Sequence, residues 1–253
     1  MIEVKDQLDK TVSLNQFPKR IISWVPSQTE LLHHFQLDDK VIGITKFCIH
    51  PDQWYQNKER IGGTKNIDLE KVRKLQPDLI IANKEENTPE DIEALMKEFP
   101  VYISDVITIQ DALLMIRDIG VLTDCEQKAV DLIDDVQEAF SEFPKYQGKV
   151  LYFIWRDPYM VCGTQNFIHS IIEKLGFTNL VKEPRYIELS VDQIKSYQPD
   201  YIFLSTEPFP FAEKHVTELK QLMDAEIKIV DGEMFSWYGS RMLKMKKYFD
   251  QLM

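Results

Sequence analysis

Leu69-Glu70-Lys71-Val72-Arg73-Lys74-Leu75-Gln76-Pro77-Asp78-Leu79-Ile80 recurs later in the chain, in the same pattern and without a gap, as Val191-Asp192-Gln193-Ile194-Lys195-Ser196-Tyr197-Gln198-Pro199-Asp200-Tyr201-Ile202. Each copy places apolar residues at i, i+3 and i+6, so one helical face is buried, and each is stopped by proline. An apolar run then begins just after an aspartate, as a buried strand does. One helix-Gln-Pro-Asp-strand unit is common in α/β proteins; two in register point to two related α/β halves.

Working outward, the apolar run Arg20–Val25 ends at Pro26-Ser27 and is followed by helical spacing from Thr29 to Phe35. Val41–Ile44, a Gly62-Gly63 turn, a helix over 68–75, a strand over 78–82, a helix over 89–98 and Val101–Ile103 continue the strand-then-helix rhythm of a parallel sheet. The polar-apolar stretch 109–143 reads as a connecting helix with its break at Gly120, closed by Pro144 and Gly148. Val150–Ile154, Tyr201–Leu204 and Ile227–Val230 begin a second series. The expected fold is α/β, two Rossmann-like lobes with parallel sheets joined by one long helix: an N-terminal lobe at 1–108, the connector at 109–146 and a C-terminal lobe at 147–253.

The chain has 253 residues, 44% hydrophobic and 28% charged, which is an ordinary globular balance. With 41 acidic against 30 basic residues the net charge is −11, which repels a phosphate backbone, so no nucleic-acid partner is expected. No apolar run is long enough for a membrane span. The start Met1-Ile2-Glu3-Val4-Lys5-Asp6 lacks the features of a secretory leader, so the chain as it stands reads as cytoplasmic, or periplasmic if a leader has been removed. Three distant cysteines without a CxxC pair indicate neither a disulfide framework nor a zinc site.

Arg20–Glu30, Val41–Ile44, the Gly62-Gly63-Thr64 turn and the paired helices together resemble the periplasmic cobalamin and ferric-siderophore receptors with a helical backbone, across essentially the whole chain. The resemblance implies a monomeric, non-enzymatic protein without a resident cofactor. It would hold a metal chelate, cobalamin, haem or a ferric siderophore, in a cleft between lobes and deliver it to an ABC permease. Those receptors dock through one acidic residue on each lobe, and the matching positions are Glu70 and Asp192. Where cobalamin receptors commonly carry tryptophan this chain has Thr64, Asn83 and Tyr186, so a smaller or more polar chelate fits equally well.

Open parallel sheets bind ligands at the carboxyl ends of their strands. The loops there supply Ser27, then Phe47, Cys48 and His50, then Asn83, then Trp155, Arg156, Tyr159 and Met160, with Tyr186 farther on. After the last strand come Phe235, Trp237, Tyr238 and Arg241, flat rings for stacking and a guanidinium suited to a carboxylate, phosphate or propionate. Cys48 and His50 alternate in an extended loop and offer two soft donors to a bound metal; by themselves they are two ligands where a closed site needs four. Each of these residues has a plainer reading as core, cap or surface pair. A cytosolic corrinoid or metal-chelate carrier or sensor is the alternative within the binding class, and an enzyme using Cys48 with His50 or His169 as base is the rival outside it.

Overall fold

The computed structural model describes all 253 residues, which form two compact units. Met1–Val106, Gln110–Glu138 and Tyr238–Leu243 make the first; Ile107–Ile109, Ala139–Trp237 and Lys244–Met253 make the second.

The first unit opens with a hairpin, β1 (Ile2–Lys5) and β2 (Thr11–Leu14), and continues with β3 (Ile21–Ser23), α1 (Pro26–His34), β4 (Val41–Ile44), α2 (Asp52–Asn57) and β5 (Glu59–Arg60). Then follow α3 (Leu69–Leu75), β6 (Leu79–Asn83), α4 (Pro89–Met96), β7 (Val101–Ser104), α5 (Ile109–Thr123) and α6 (Glu126–Ser141). The sheet runs β5-β4-β3-β6-β7 with every pair parallel. The strand order reverses at β3, which makes the carboxyl ends of β3 and β6 the switch point of a doubly wound sheet. One core on this sheet is Ile22, Trp24, Ile61, Val72, Ile80, Leu95 and their neighbours.

The second unit contains β8 (Lys149–Trp155), β9 (Tyr159–Cys162), α7 (Phe167–Lys174), β10 (Thr178–Asn179), β11 (Tyr186–Leu189), α8 (Val191–Tyr197) and β12 (Tyr201–Ser205). It ends with α9 (Glu213–Lys220), β13 (Glu226–Val230), α10 (Gly232–Ser236) and α11 (Met242–Phe249). Its order is β11-β9-β8-β12-β13, with β10 also beside β8. Here the all-parallel expectation needs correcting: β8 turns straight back into β9, and β9 pairs antiparallel with both β8 and β11. A tight hairpin can join only antiparallel strands, so the short Arg156-Asp157-Pro158 link decides the orientation. The switch point here lies between β8 and β12.

The repeated segment takes the same conformation twice. α3 and α8 both end on a left-handed glutamine, Gln76 (φ 46°, ψ 62°) and Gln198 (φ 47°, ψ 59°). The aspartate after each proline then ties the incoming strand to its neighbour. Asp78 accepts the N–H groups of Lys19 and Arg20, both at 2.8 Å, and Asp200 accepts that of Lys149 at 2.7 Å. At their starts, Asp68 caps α3 through the Lys71 N–H, and Ser190 with Gln193 forms a capping box on α8.

The stretch 109–143 is helical but is two helices, and the break is not at Gly120. It falls at Asp124, which is left-handed (φ 62°), while Gly120 lies inside α5. A Cβ on Gly120 would run into the Cβ of Ala129 on α6, so the glycine permits close approach of the two helices. α5 and the start of α6 are held on the first unit: Lys40 Nζ donates to the Thr123 carbonyl at 3.4 Å and Lys128 Nζ to that of Phe35 at 2.6 Å.

Replacing Asp78 with alanine removes both of its bonds to the β3 approach. We expect a loss of about 1–3 kcal/mol in a urea titration; an unchanged midpoint would show that the strand start is set by the ladder alone.

Candidate functional site

At the switch point of the first unit, Ser27, Gln28 and Asn83 come together around Ser104. Gln28 Nε2 and Asn83 Nδ2 donate to Ser104 Oγ at 2.5 and 3.0 Å. Asn83 Oδ1 also accepts the N–H groups of Glu85 and Glu86, which shapes the loop after β6. Asn83 and Ser27 are both buried and occupied in this network. Tyr238 belongs to this unit and places its hydroxyl on Ser104 and Ser27; burial pushes that hydroxyl well above the usual phenol range. The switch point is therefore filled by the protein's own ring.

The loop after β4 is exposed. Thr29 Oγ1 lies 3.0 Å and Thr45 Oγ1 3.1 Å from Cys48 Sγ, and Cys48 is fully enclosed. With that thiol turned inward, Phe47 (49% exposed) and Ile49 (45%) face outward, and Lys46 Nζ stands 5.0 Å from the Phe47 ring centroid. Gly62 and Gly63 support the loop: Lys46 N–H donates to the Gly62 carbonyl at 2.9 Å, and Gly62 has φ +102°. Burial raises the Cys48 pKa, which keeps the group a thiol where nucleophilic attack or metal ligation needs a thiolate. His50 is half-buried, so the expected outward-facing Cys-His edge does not form. No three His, Cys, Asp or Glu side chains gather into a metal-holding group.

In the second unit the switch point stays open and aromatic. Trp155, at the end of β8, is 41% exposed and packs edge-to-face on Phe209 from the loop after β12, centroids 5.7 Å apart. Met160 is the register partner of Trp155 on β9, and Tyr186 starts the neighbouring β11, half-buried. Arg156 donates to Glu218 at 2.7 Å and the Tyr159 hydroxyl to the same oxygen at 3.3 Å, so these two rim residues share one carboxylate.

The segment after β13 is divided between purposes. Phe235 is a core residue, packed on Tyr152, Phe203 and Phe249. Trp237 Nε1 donates to Glu207 Oε1 at 3.0 Å and Ser236 Oγ to the same atom at 2.8 Å. Arg241, read from the sequence as an anion clamp, is instead 5% exposed and pairs through Nε with Glu30 at 2.7 Å, inside the first unit. Of the aromatic residues read from the strand-end loops, Phe47 and Trp155 are thus the exposed ones, with Phe209 packed on Trp155. Phe209 stands in the loop after β12, the strand that matches β6 in the repeat.

A family model described as periplasmic binding protein matches residues 21–228. The vitamin B12-binding protein of Vibrio campbellii is 27% identical over 195 residues, 74% of this chain and 70% of that protein. An uncharacterized ABC transporter substrate-binding lipoprotein of Bacillus subtilis is 24% identical over 215 residues, 79% of this chain and 68% of that one. Among solved structures, a possible iron-binding periplasmic solute-binding protein from Staphylococcus epidermidis gives a TM-score of 0.77 at 22% identity, covering 93% of this chain and 98% of that one. A periplasmic haem-binding protein from Roseiflexus gives 0.78 at 18% identity, covering 92% and 98%. The structural likeness is one of fold.

Burial raises the Glu207 carboxyl above its ordinary pKa, outweighing the hydrogen bonds from Ser236 and Trp237. A carboxyl whose folded pKa exceeds its unfolded one weakens the fold as pH rises from the unfolded value through the folded one, and the cost persists above. Glu207→Gln keeps an acceptor for both donors and removes the charge. We expect a higher Tm than wild type at pH 7, the difference closing as pH falls below the normal glutamate range; a lower Tm at pH 7 would mean the charge itself is needed there.

Proposed function

Because the chain belongs to the periplasmic binding protein family, we propose that it captures a metal chelate of the corrinoid, haem or ferric-siderophore class and delivers it to an ABC permease. The names of its relatives support this reading, spanning vitamin B12, iron and haem binding and ABC-transporter service. The observation that carries it in this chain is the open ring surface of Trp155 on Phe209 at the switch point of the second unit. Flat apolar rings with polar edges suit a macrocycle or an aryl-bearing chelate. The Phe47, Lys46 and Ile49 loop offers a second such surface on the first unit.

The cytosolic placement read from the first residues finds no support in a family of periplasmic proteins or in a lipoprotein relative. The cytosolic carrier reading has none either. No helix is long and apolar enough to cross a membrane. The enclosed Cys48 thiol speaks against the nucleophile reading.

Glu70 and Asp192 are assigned to permease docking. Both stand in the first turn of the repeated helices and both are exposed. Glu70 is paired at 2.7 Å with Arg73, but its side chain is 75% exposed, and a pair so solvated is worth little and exchanges readily for a basic partner.

Tryptophan fluorescence tests the ligand. Trp24, Trp54 and Trp237 are buried, so Trp155 is the tryptophan open to contact quenching. Saturable binding of one among cobalamin, haem and ferric siderophores is expected by fluorescence and calorimetry, weakened about tenfold in Trp155→Ala, or ~1.4 kcal/mol; affinity unmoved by that change would remove the ring from the site. For docking, Glu70→Ala with Asp192→Ala should leave chelate affinity within about twofold while transport by the cognate permease in proteoliposomes falls at least about tenfold. Undiminished transport would reject the assignment.

A further inference from the structure

A cavity of about 420 Å³ opens on the first unit between the β1 hairpin and α5, elements that carry none of the strand-end residues above. Two buried carboxylates are among its lining residues. Asp6 is 4% exposed; its Oδ1 accepts the Leu8 and Lys10 N–H groups at 2.9 and 2.8 Å and so shapes the hairpin turn. Its Oδ2 is equally buried and has no partner. Asp118, 5% exposed, accepts the Tyr102 hydroxyl on Oδ2 at 3.1 Å, while its Oδ1 lies 3.5 Å from the Arg117 guanidinium, a side chain 62% exposed. Burial raises the Asp118 carboxyl, and the charge of Asp6 adds to the effect.

A buried carboxylate oxygen without a donor carries the full cost of its lost hydration. The lining asks for a cation: Glu3, Asp6, Asp9 and Asp118 outnumber Lys5 and Arg117. A bare divalent ion is poorly served, because calcium wants six to eight oxygens and no three acidic groups converge. An ammonium group is well served. It brings three donors and no acceptor, and an aliphatic stem can lie along the half-buried Val4, Leu114 and Val121, which complete the wall.

We infer that this cavity is a binding site for a small alkylammonium ion, its charge met by the Asp6 and Asp118 carboxylates and its stem on Val4, Leu114 and Val121. The Arg117 guanidinium, itself solvent-exposed and 3.5 Å from the buried Asp118, yields its place to the ligand. The site is independent of chelate capture.

Amide chemical shifts of the full chain, titrated with n-butylammonium chloride at constant ionic strength, test it. Saturable shifts are expected at Leu8, Lys10 and Asp118. Asp6→Asn keeps an oxygen for the turn and loses the charge, so its affinity should fall at least tenfold with the chelate affinity unchanged; Asp118→Asn, which keeps the Tyr102 bond, should do the same and serves if the first variant does not fold. Shifts with calcium or magnesium chloride but not with the amine would overturn the assignment in favour of a metal. Equal shifts with n-butanol would reduce it to an apolar groove, and no shift with any probe would leave only a hydrated pocket; either result rejects the proposal.

Discussion

Two aspartates, Asp78 and Asp200, each bond the backbone where a neighbouring strand begins, and the rest of the architecture depends on that constraint. Asp78 joins β6 to the approach to β3, and Asp200 joins β12 to the start of β8. These are the central pairs of the two sheets. With the starts aligned and the pairing parallel, the carboxyl ends of the same strands are aligned too, so the loops of Ser27 and Asn83 emerge side by side in the first unit and those of Trp155 and Phe209 in the second. A charge-assisted bond at one edge of a sheet thus sets the geometry of the other edge.

The two switch points, alike in construction, have been put to different ends. In the first unit, Tyr238 from the last part of the chain occupies the place, anchored on Ser27 and Ser104. In the second, Trp155 and Phe209 leave it open. The contrast follows from the side chains available. A tyrosine can fill a polar recess because its hydroxyl satisfies the hydroxyls already there; in the second unit Glu207, Ser236 and Trp237 satisfy one another, and Trp155 keeps an exposed face.

Periodicity made most of the helices and parallel strands legible, because burying one face of a helix or both faces of a central strand leaves a mark on consecutive residues. It did not reveal the antiparallel β9 and β11 or the position of the helix break. The first depends on a link between strands, and the second on a left-handed Asp124, a backbone state that periodicity does not mark. Among the site residues, Phe47 and Trp155 stand outward where the loops were read to be. Cys48, Asn83, Phe235 and Arg241 were read from the same loops and are enclosed, because residue type alone does not say which side of a loop faces the solvent.

By itself the sequence determined the doubled helix-Gln-Pro-Asp-strand unit and the α/β class, since each rests on neighbours a few residues apart. The tertiary structure decided the rest. Arg241 meets Glu30 across 211 positions, Tyr238 closes the first unit's switch point, and the second carboxylate oxygen of Asp6 is left without a donor beneath α5. Such pairings follow from which surfaces meet once the sheets have formed, and a chain read in order carries no record of that meeting.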